Sequence, residues 1–370
     1  MKILFVEPYE SSLFCFRKEL LDALIADGHD IVLCITETKK ITDQYFKKTK
    51  IIDVPIDLKN KGLFSNVKLK RTYKRIIKQE KPDLVLSFTI KPNIYCGMAA
   101  KKTPIIANIT GLGNMFKSRG LLYYLGVFLY KISFKNVDWV FFQNNDCLSF
   151  FKNNRIHVSR YKIIPGSGVN TEKFKPLDTR KDTGVRNFLF ASRPLKEKGF
   201  DLLVESIPEV VKINKNVHFN FLCSEEEFMQ RDLAKRVFEE NGSYITILGR
   251  TDNMRMVYCQ NDFLVSPSFY REGISNVLLE SLACERPIIT TDDNPGCLET
   301  LAEGKNGLGI KSNDLKSLIF ALNKAAAMSN DEVEKMGKNG REFVIQQFSR
   351  DFVLKEYLDV IKGMKNAKEK

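Results

Sequence analysis

Short apolar runs alternate with segments of helical periodicity along the first half of the chain. The apolar runs are rich in β-branched residues and lack polar alternation, which is typical of strands buried on both faces of a sheet. The predicted strands are 2–6, 29–36, 83–88, 104–110 and 138–144, with helices over 12–28, 66–82, 93–103 and 121–136. This alternation predicts a parallel sheet covered by helices on both faces.

The alternation pauses at residues 165–185, which are rich in Pro, Gly, Asp and Lys, and then restarts. We therefore predict an α/β protein with two Rossmann-like, doubly wound parallel-sheet domains that face a cleft. The predicted parts are a first domain over 1–165, a linker over 166–185, a second domain over 186–347, and a C-terminal helix over 348–370 that can cross back to the first domain.

Positive charge is concentrated in the first half of the chain. The net charge is +13, and residues 1–180 hold 31 Lys and Arg against 16 Asp and Glu, a net of +15. The other residues hold 27 against 29, a net of −2. A one-sided basic field suggests an anionic partner such as nucleic acid, phospholipid head groups or a phosphorylated substrate, although it can also serve solubility alone.

The remaining bulk features predict a cytosolic protein. The eight cysteines are scattered without a C-x-x-C pair, so we expect them to be reduced. The start, "MKILFVEP", has one lysine and a short apolar run, which predicts a first strand, and it is too short for a signal peptide. The most apolar stretch, 120–134, is interrupted by Lys131 and is short for a membrane span.

A basic turn follows the first predicted strand of the second half. In "ASRPLKEKGFDLLVESI" (191–207), Arg193 and Lys198 flank the turn and Gly199 stands near the start of a helix. Cations beside a helix N-terminus form an anion site that suits a diphosphate. The alternative is a basic turn that is only solvated.

Two glutamates, Glu272 and Glu280, lie in "DFLVSPSFYREGISNVLLESLACERPIIT" (262–290). Two acids suggest a general acid and base, but the first is predicted in a loop after a strand and the second inside a helix. A carboxylate in either place can accept hydrogen bonds from sugar or ribose hydroxyls. Alternatively, Glu280 is exposed to solvent or paired with Arg286.

Together these motifs resemble the signature of glycosyltransferase family 4, the retaining, nucleotide-sugar-dependent enzymes of GT-B fold. The E-x7-E pattern matches at Glu272 and Glu280, and "SRPLKEKGFDLLV" resembles the family's G-R-x-x-x-x-K-G segment at Arg193 and Lys198. Other similar segments are 165–176, 290–299 and 304–310. Residues 89–116 resemble the subgroup that builds bacterial capsule, O-antigen and lipid-linked oligosaccharide chains.

The resemblance implies roles for individual residues. Arg193 and Lys198 would hold the donor diphosphate, Glu272 would contact the transferring sugar, and Glu280 would bind the ribose. It makes 1–165 the acceptor-side domain and 186–347 the nucleotide-sugar domain. Backbone amides at Gly273, Ile274 and Ser275 would complete the donor site. The implied acceptor-side residues are Tyr9, Ser12, Lys91, Thr110 and Gly111.

The implied reaction passes through an oxocarbenium-like sugar whose leaving diphosphate is stabilised by fixed positive charge. The acceptor hydroxyl approaches on the face of the leaving group; a double displacement with Glu272 as nucleophile is the competing route. No D-x-D motif occurs, and the adjacent Asp292 and Asp293 suit a turn. We therefore expect no metal and no cofactor beyond the UDP-sugar donor. Thr110 and Gly111 stand where many members carry a histidine, so a His-assisted mechanism is not expected.

The implied acceptor is a lipid-linked, polyprenyl-diphosphate saccharide. The basic helix 66–82 and the apolar segment 121–136 suit an anionic membrane surface, although the first can simply be solvated and the second can pack in the core. No nucleic-acid recognition module is present, so a nucleic-acid partner is not expected. The predicted location is cytoplasmic and peripheral, at the inner face of the plasma membrane.

Three functions stay open at this point. The first is a retaining transferase that moves a hexose or N-acetylhexosamine from a UDP-sugar. The second is a UDP-sugar 2-epimerase on the same fold, for which the motifs offer no nearby histidine. The third is a non-catalytic basic binding protein, which would not bind a nucleotide sugar.

Overall fold

The chain folds into two compact units, each built around one parallel sheet. In the computed structural model, one unit comprises Met1–Ser167 with Phe352–Lys370, and the other comprises Gly168–Asp351. The structure describes residues 1–35, 49–54, 63–116, 119–178, 184–271 and 273–368. Two Rossmann-like parallel sheets confirm the predicted fold class.

Seven parallel strands form the sheet of the first unit. They are β1 (Lys2–Val6), β2 (Asp30–Ile35), β3 (Lys50–Asp53), β4 (Leu84–Phe88), β5 (Ile105–Ile109), β6 (Trp139–Phe142) and β7 (Arg160–Ile163). Their spatial order is β3-β2-β1-β4-β5-β6-β7. The order reverses between β1 and β4, and the crevice beside the carboxyl ends of two such strands is where doubly wound sheets bind ligands.

Helices connect these strands. They are α1 (Glu10–Ser12), α2 (Lys18–Ala26), α3 (Leu63–Glu80), α4 (Ile90–Ala99), α5 (Leu121–Ser133) and α6 (Asn145–Asn153). Between α1 and α2 the chain forms a π-helical turn, Leu13–Arg17, where the sequence predicts a continuous helix. Such turns rotate the following side chains relative to a regular helix, and here the turn ends with Arg17 buried.

Six parallel strands form the sheet of the second unit. They are β8 (Arg186–Phe190), β9 (Val217–Phe221), β10 (Ile245–Ile247), β11 (Phe263–Ser266), β12 (Ile288–Thr291) and β13 (Gly307–Ile310). The order β10-β9-β8-β11-β12-β13 reverses between β8 and β11. The carboxyl ends of these two strands therefore flank the expected ligand crevice of this unit.

The helices of the second unit pack on both faces of its sheet. They are α7 (Phe200–Ile213), α8 (Glu225–Met229), α9 (Asp232–Asn241), α10 (Met254–Cys259), α11 (Asn276–Ala283), α12 (Pro295–Leu298), α13 (Leu315–Ala327) and α14 (Asn330–Phe348). The last helix, α15 (Arg350–Lys368), lies mostly in the first unit. Among the described residues, no helix is long and apolar enough to cross a membrane.

A buried polar cluster lies at the carboxyl ends of the central strands of the first unit. Glu7 follows β1 directly and is 1% exposed, and its carboxylate lies 3.9 Å from the Nε atom of Arg17. The Arg17 guanidinium also stacks 4.6 Å from the ring centroid of Phe88, at the end of β4. The π-helical turn thus directs a cation into the core, where it partly neutralises the carboxylate.

Asn108 links the same cluster to the C-terminal helix. Its Nδ2 atom donates to the Ser87 carbonyl at 2.9 Å, and its Oδ1 atom accepts from the Tyr357 hydroxyl on α15. The Asn93 amide donates to the Asn108 carbonyl at 2.7 Å. Because buried polar groups are costly without partners, these bonds fix α4 and α15 against the sheet.

Burial raises the pKa of Glu7 to about 7 from 4.5, although Arg17, the Ser12 hydroxyl and the Tyr9 amide oppose the shift. A carboxyl with a raised pKa in the folded state binds its proton more tightly there than in the unfolded chain. Its contribution to stability is therefore present at low pH and is lost as the pH rises from about 4.5 to about 7.

Glu7→Gln should remove this loss, because the amide stays neutral. The free energy of unfolding of the variant relative to the wild type should rise by about 2 kcal/mol between pH 5 and pH 8. Urea unfolding followed by circular dichroism at both pH values measures this change, whatever constant offset the substitution adds. Glu239→Gln is the control, because Glu239 is an exposed residue on α9, and it should show no such change. If the free energies of unfolding of Glu7→Gln and the wild type changed in parallel with pH, the loss of stability could not be assigned to Glu7.

Candidate functional site

The basic turn and the glutamate loop follow two strands that lie side by side. β8 pairs directly with β11, with Phe188 opposite Phe263 and Leu189 opposite Leu264. The basic turn leaves the carboxyl end of β8, and the loop leaves the carboxyl end of β11. The two segments that carry the sequence motifs therefore meet at the strand reversal of the second sheet.

Gly199 allows the two segments to touch. It adopts a left-handed conformation, φ +77°, and ends the short 3₁₀ turn Lys196–Lys198. A Cβ atom at this position would lie 2.2 Å from the carbonyl oxygen of Pro267. Both the conformation and the space require glycine here, so the glycine of the basic motif is a packing residue.

Hydrogen bonds and a cation–π contact join the turn to the loop. The Phe269 amide donates to the Glu197 carbonyl at 3.0 Å, and the Ser268 hydroxyl donates to the same oxygen at 3.4 Å. The ammonium of Lys198 lies 5.1 Å from the ring centroid of Tyr270. This stacking orients the Lys198 cation, while the Arg193 side chain is exposed at the other end of the turn.

The other side of the loop is held by two polar side chains, one at the end of β12 and one just beyond it. The Thr291 hydroxyl donates to the Ser268 carbonyl at 2.7 Å. The Asn294 amide donates to the carbonyls of Ser268 at 2.8 Å and Tyr270 at 3.1 Å. Thr291 and Asn294 are buried and were not singled out from the sequence, although the segment that contains them, 290–299, contributes to the family resemblance.

Gly273, Ile274 and Ser275 are buried and lead into α11. Ser275 occupies the N-cap position without a side-chain cap, and its amide donates to the Gly296 carbonyl at 3.2 Å. The start of α11 therefore presents backbone amides that its own turns do not satisfy. The predicted sugar contact, Glu272, lies outside the described residues.

Glu280 lies on α11, about 6 Å of axial rise beyond its first residue. Its carboxylate accepts a hydrogen bond of 2.9 Å from the Tyr258 hydroxyl, which belongs to α10. The sequence-based alternative of a pair with Arg286 is wrong, because the Arg286 guanidinium donates to the Cys259 carbonyl at 3.1 Å. Tyr258 is fully buried, and no sequence pattern pointed to it.

Burial raises the pKa of the Glu280 carboxyl to about 7, and the Tyr258 hydrogen bond, Lys173 and Arg350 partly oppose the shift. The residue as a whole is half-buried, and its carboxylate lies against the fully buried Tyr258. A carboxylate in such a place gains from hydroxyl donors that a ligand brings.

The predicted acceptor-side residues all lie in the first unit. Tyr9 and Ser12 follow β1, Lys91 lies in the first turn of α4 after β4, and Thr110 and Gly111 follow β5. Because β1, β4 and β5 are neighbours in the sheet, these residues share one edge, and all five are half-buried. Glu7 is buried next to two of them, where its carboxyl interacts with the Ser12 hydroxyl and the Tyr9 amide.

The adjacent aspartates form part of a loop structure. Asp292 accepts from the Lys311 ammonium at 2.8 Å, and Asp293 accepts from the Ser312 amide at 3.1 Å. Within the described part of the chain, no group of three or more His, Cys, Asp or Glu side chains could hold a metal ion. Whether the reaction depends on a metal stays a prediction.

Two family profiles match the chain, one in each unit. Residues 185–327 match the profile described as "Glycosyl transferases group 1", and residues 2–144 match the profile described as "Glycosyl transferase 4-like". The first match contains the basic turn, the loop and α11. The second contains the buried polar cluster around Glu7.

Two curated relatives extend over most of the chain. The N,N'-diacetylbacillosaminyl-diphospho-undecaprenol alpha-1,3-N-acetylgalactosaminyltransferase of Campylobacter jejuni is 26% identical and covers 97% of both chains. The UDP-Gal:alpha-D-GlcNAc-diphosphoundecaprenol alpha-1,3-galactosyltransferase of Escherichia coli is 24% identical over 86% of this chain and 85% of its own.

The fold is also similar to that of solved glycosyltransferase-type structures. The crystal structure of Anabaena Alr3699/HepE in complex with UDP superimposes with a TM-score of 0.76 at 15% identity, covering 98% of this chain and 100% of the other. This likeness confirms the GT-B class of both sheets. Because the two profiles together cover most of the chain, the chain belongs to the glycosyltransferases that they describe, group 1 and family 4-like.

Proposed function

We propose that the protein is a retaining, metal-independent hexosyltransferase or N-acetylhexosaminyltransferase. In this proposal, a UDP-sugar donates its sugar to a lipid-linked, polyprenyl-diphosphate saccharide during bacterial surface-glycan synthesis. The enzyme works on the cytoplasmic side of the membrane and associates with an anionic membrane surface.

The locked pair of segments at the ends of β8 and β11 supports the donor part of the proposal. The contact of Gly199 with Pro267 and the Phe269–Glu197 hydrogen bond hold Lys198 and the exposed Arg193 on one edge of the sheet. An oriented Lys198 just before α7, with Arg193 on the same turn, suits a diphosphate whose charge grows as the sugar departs.

The relatives support the choice of substrates. One relative carries UDP-Gal in its name, and both names contain a diphospho-undecaprenol acceptor. The Anabaena neighbour was crystallised with UDP. The basic first half of this chain would suit both the diphosphate of such an acceptor and the lipid head groups around it.

The proposed chemistry assigns this chain a binding and charge-stabilising role. The bond between the anomeric carbon and the donor phosphate oxygen breaks, and the electron pair stays on the phosphate beside Arg193 and Lys198. The acceptor hydroxyl attacks the same face, and its proton passes to that phosphate oxygen. Glu280 binds the ribose hydroxyls, and Glu272 faces the sugar; a double displacement through Glu272 is the competing route.

Product analysis tests this function directly. The purified chain should transfer one sugar from a panel of UDP-hexoses and UDP-N-acetylhexosamines to a polyprenyl-diphosphate saccharide, and EDTA should leave the rate unchanged. Proton NMR should show the anomeric configuration of the donor in the product. An inverted product, loss of activity in EDTA, or formation of the free 2-epimer without transfer would each overturn the corresponding part of the proposal.

Lys198→Ala should lower transfer at least ~100-fold, because it removes one fixed positive charge beside the departing diphosphate. Lys196→Ala is the matched control, since Lys196 belongs to the same 3₁₀ turn but is exposed. It should change the rate less than about threefold, as expected for an exposed charge. Steady-state kinetics of both variants measure the difference, and similar rates for Lys198→Ala and the wild type would exclude the diphosphate role.

Glu280→Gln should weaken binding of a UDP-sugar about tenfold at pH 8, because a charge-assisted hydrogen bond to the ribose is lost. Wild-type affinity should increase as the pH rises through about 7, where the Glu280 carboxyl ionises, and the variant should lose that dependence. Calorimetry with a UDP-sugar measures both effects.

Tyr258→Phe should keep the pH dependence of UDP-sugar affinity but move it to higher pH, because the Tyr258 hydroxyl lowers the pKa of Glu280. If the affinity of Glu280→Gln for the UDP-sugar still rose with pH, the assignment of this dependence to Glu280 would be contradicted.

A further inference from the structure

Helix α5 is apolar on two opposite faces. On its inner face, Tyr130 is fully buried against the rings of Phe116, Phe134 and Phe151, with centroid distances of 5.0 to 5.8 Å. Gly126 lies so close to Phe116 that a Cβ atom would approach the ring to 2.7 Å. These contacts fix the rotation of the helix, so its other face is held permanently outward.

The outward face carries large apolar side chains in helical register. Leu121 is 85% exposed, Leu125 48%, Phe128 57% and Ile132 41%. Their spacing of three or four residues places all four on one stripe. Leu122 and Tyr124, at 50% and 60%, widen the stripe. A surface helix normally turns polar residues to solvent, so this stripe marks an interaction surface.

Positive charge borders the stripe. Arg119 precedes the helix, Lys131 lies in its last turn, and Lys135 follows it, all with exposed side chains. None of the three forms an ion pair with another residue in the described part of the chain. Residues 119–136 contain no Asp or Glu, so all the charge that this segment brings to the surface is positive.

We propose that this stripe, Leu121, Leu125, Phe128 and Ile132 with Arg119, Lys131 and Lys135, docks on an anionic lipid bilayer. Aliphatic and aromatic side chains enter the acyl boundary, while the cations contact phosphate head groups. A second copy of the chain fits less well, because two such stripes would bring cations together without a carboxylate between them. The proposal rests on the proposed function, since it names the surface on which the enzyme would meet a lipid-linked acceptor.

Vesicle sedimentation of the full chain tests the surface. The wild type should bind vesicles of phosphatidylglycerol and phosphatidylcholine, and bind less to phosphatidylcholine alone or at high salt. Phe128→Glu should lower the partition coefficient at least ~10-fold, because one large apolar side chain is lost from the lipid and a negative charge is added. Phe320→Glu is the matched control, since Phe320 is a 71% exposed helical phenylalanine in the other unit, and it should bind like the wild type.

Thermal melting and UDP-sugar binding of both variants should match the wild type. A loss of vesicle binding in Phe128→Glu would then be local to the surface. The docking surface is overturned if Phe128→Glu binds vesicles as well as Phe320→Glu does, or if the wild type does not bind them. A wild-type dimer in light scattering that Phe128→Glu converts to a monomer would also overturn it, in favour of a second copy.

Transfer to a short-chain, water-soluble acceptor analogue separates this inference from the proposed function. Transfer that persists in Phe128→Glu while vesicle binding falls supports the docking surface. A wild type that transfers sugar without binding vesicles overturns the docking surface and the proposed membrane association, and leaves the proposed transfer reaction intact. A wild type that binds vesicles without transferring sugar overturns the function alone.

Discussion

The carbonyl oxygen of Pro267 and the α-carbon of Gly199 approach so closely that no side chain fits between them. This single contact ties the turn after β8 to the loop after β11, and the rest of the candidate donor site depends on it. Lys198 takes its orientation from Tyr270 on that loop, and the loop is held in turn by Thr291 and Asn294. A binding edge made of two irregular segments becomes rigid because backbone packing, hydrogen bonds and the Lys198–Tyr270 contact all join them.

The first unit uses a different kind of contact. There the edge of the sheet is held by a buried polar cluster, in which Arg17 faces Glu7 and Asn108 accepts a hydrogen bond from the Tyr357 hydroxyl. Buried charges of this kind contribute little net stability, but they leave few alternative arrangements for the segments around them. Both units thus carry a glutamate whose pKa burial raises to about 7, Glu7 and Glu280, one under the candidate acceptor residues and one beside the candidate ribose site.

Much of the fold follows from the sequence pattern because doubly buried strands leave an unmistakable apolar signature. In the first sheet, β1, β2, β4, β5 and β6 lie within the strands predicted from the sequence, and the basic turn and the loop of the second unit were expected at strand ends. The supports of the site could not be predicted, because Tyr258 and Asn294 act through contacts between segments distant in the chain. The π-helical turn could not be predicted either, because its residues have ordinary helical periodicity. The sugar contact of Glu272 stays a prediction.

Helix α5 shows why pattern alone was ambiguous. A segment with apolar residues on every side can be a core helix or a membrane-surface helix, and the sequence left both open. In the structure, Tyr130 and Gly126 anchor one face in the core, while Leu121 and Phe128 remain exposed on the other. Core packing alone would not require apolar residues on the exposed face. An apolar outward stripe whose own segment, 119–136, carries cations and no carboxylate is therefore best explained by the proposed partner, a surface that is itself apolar inside and anionic outside.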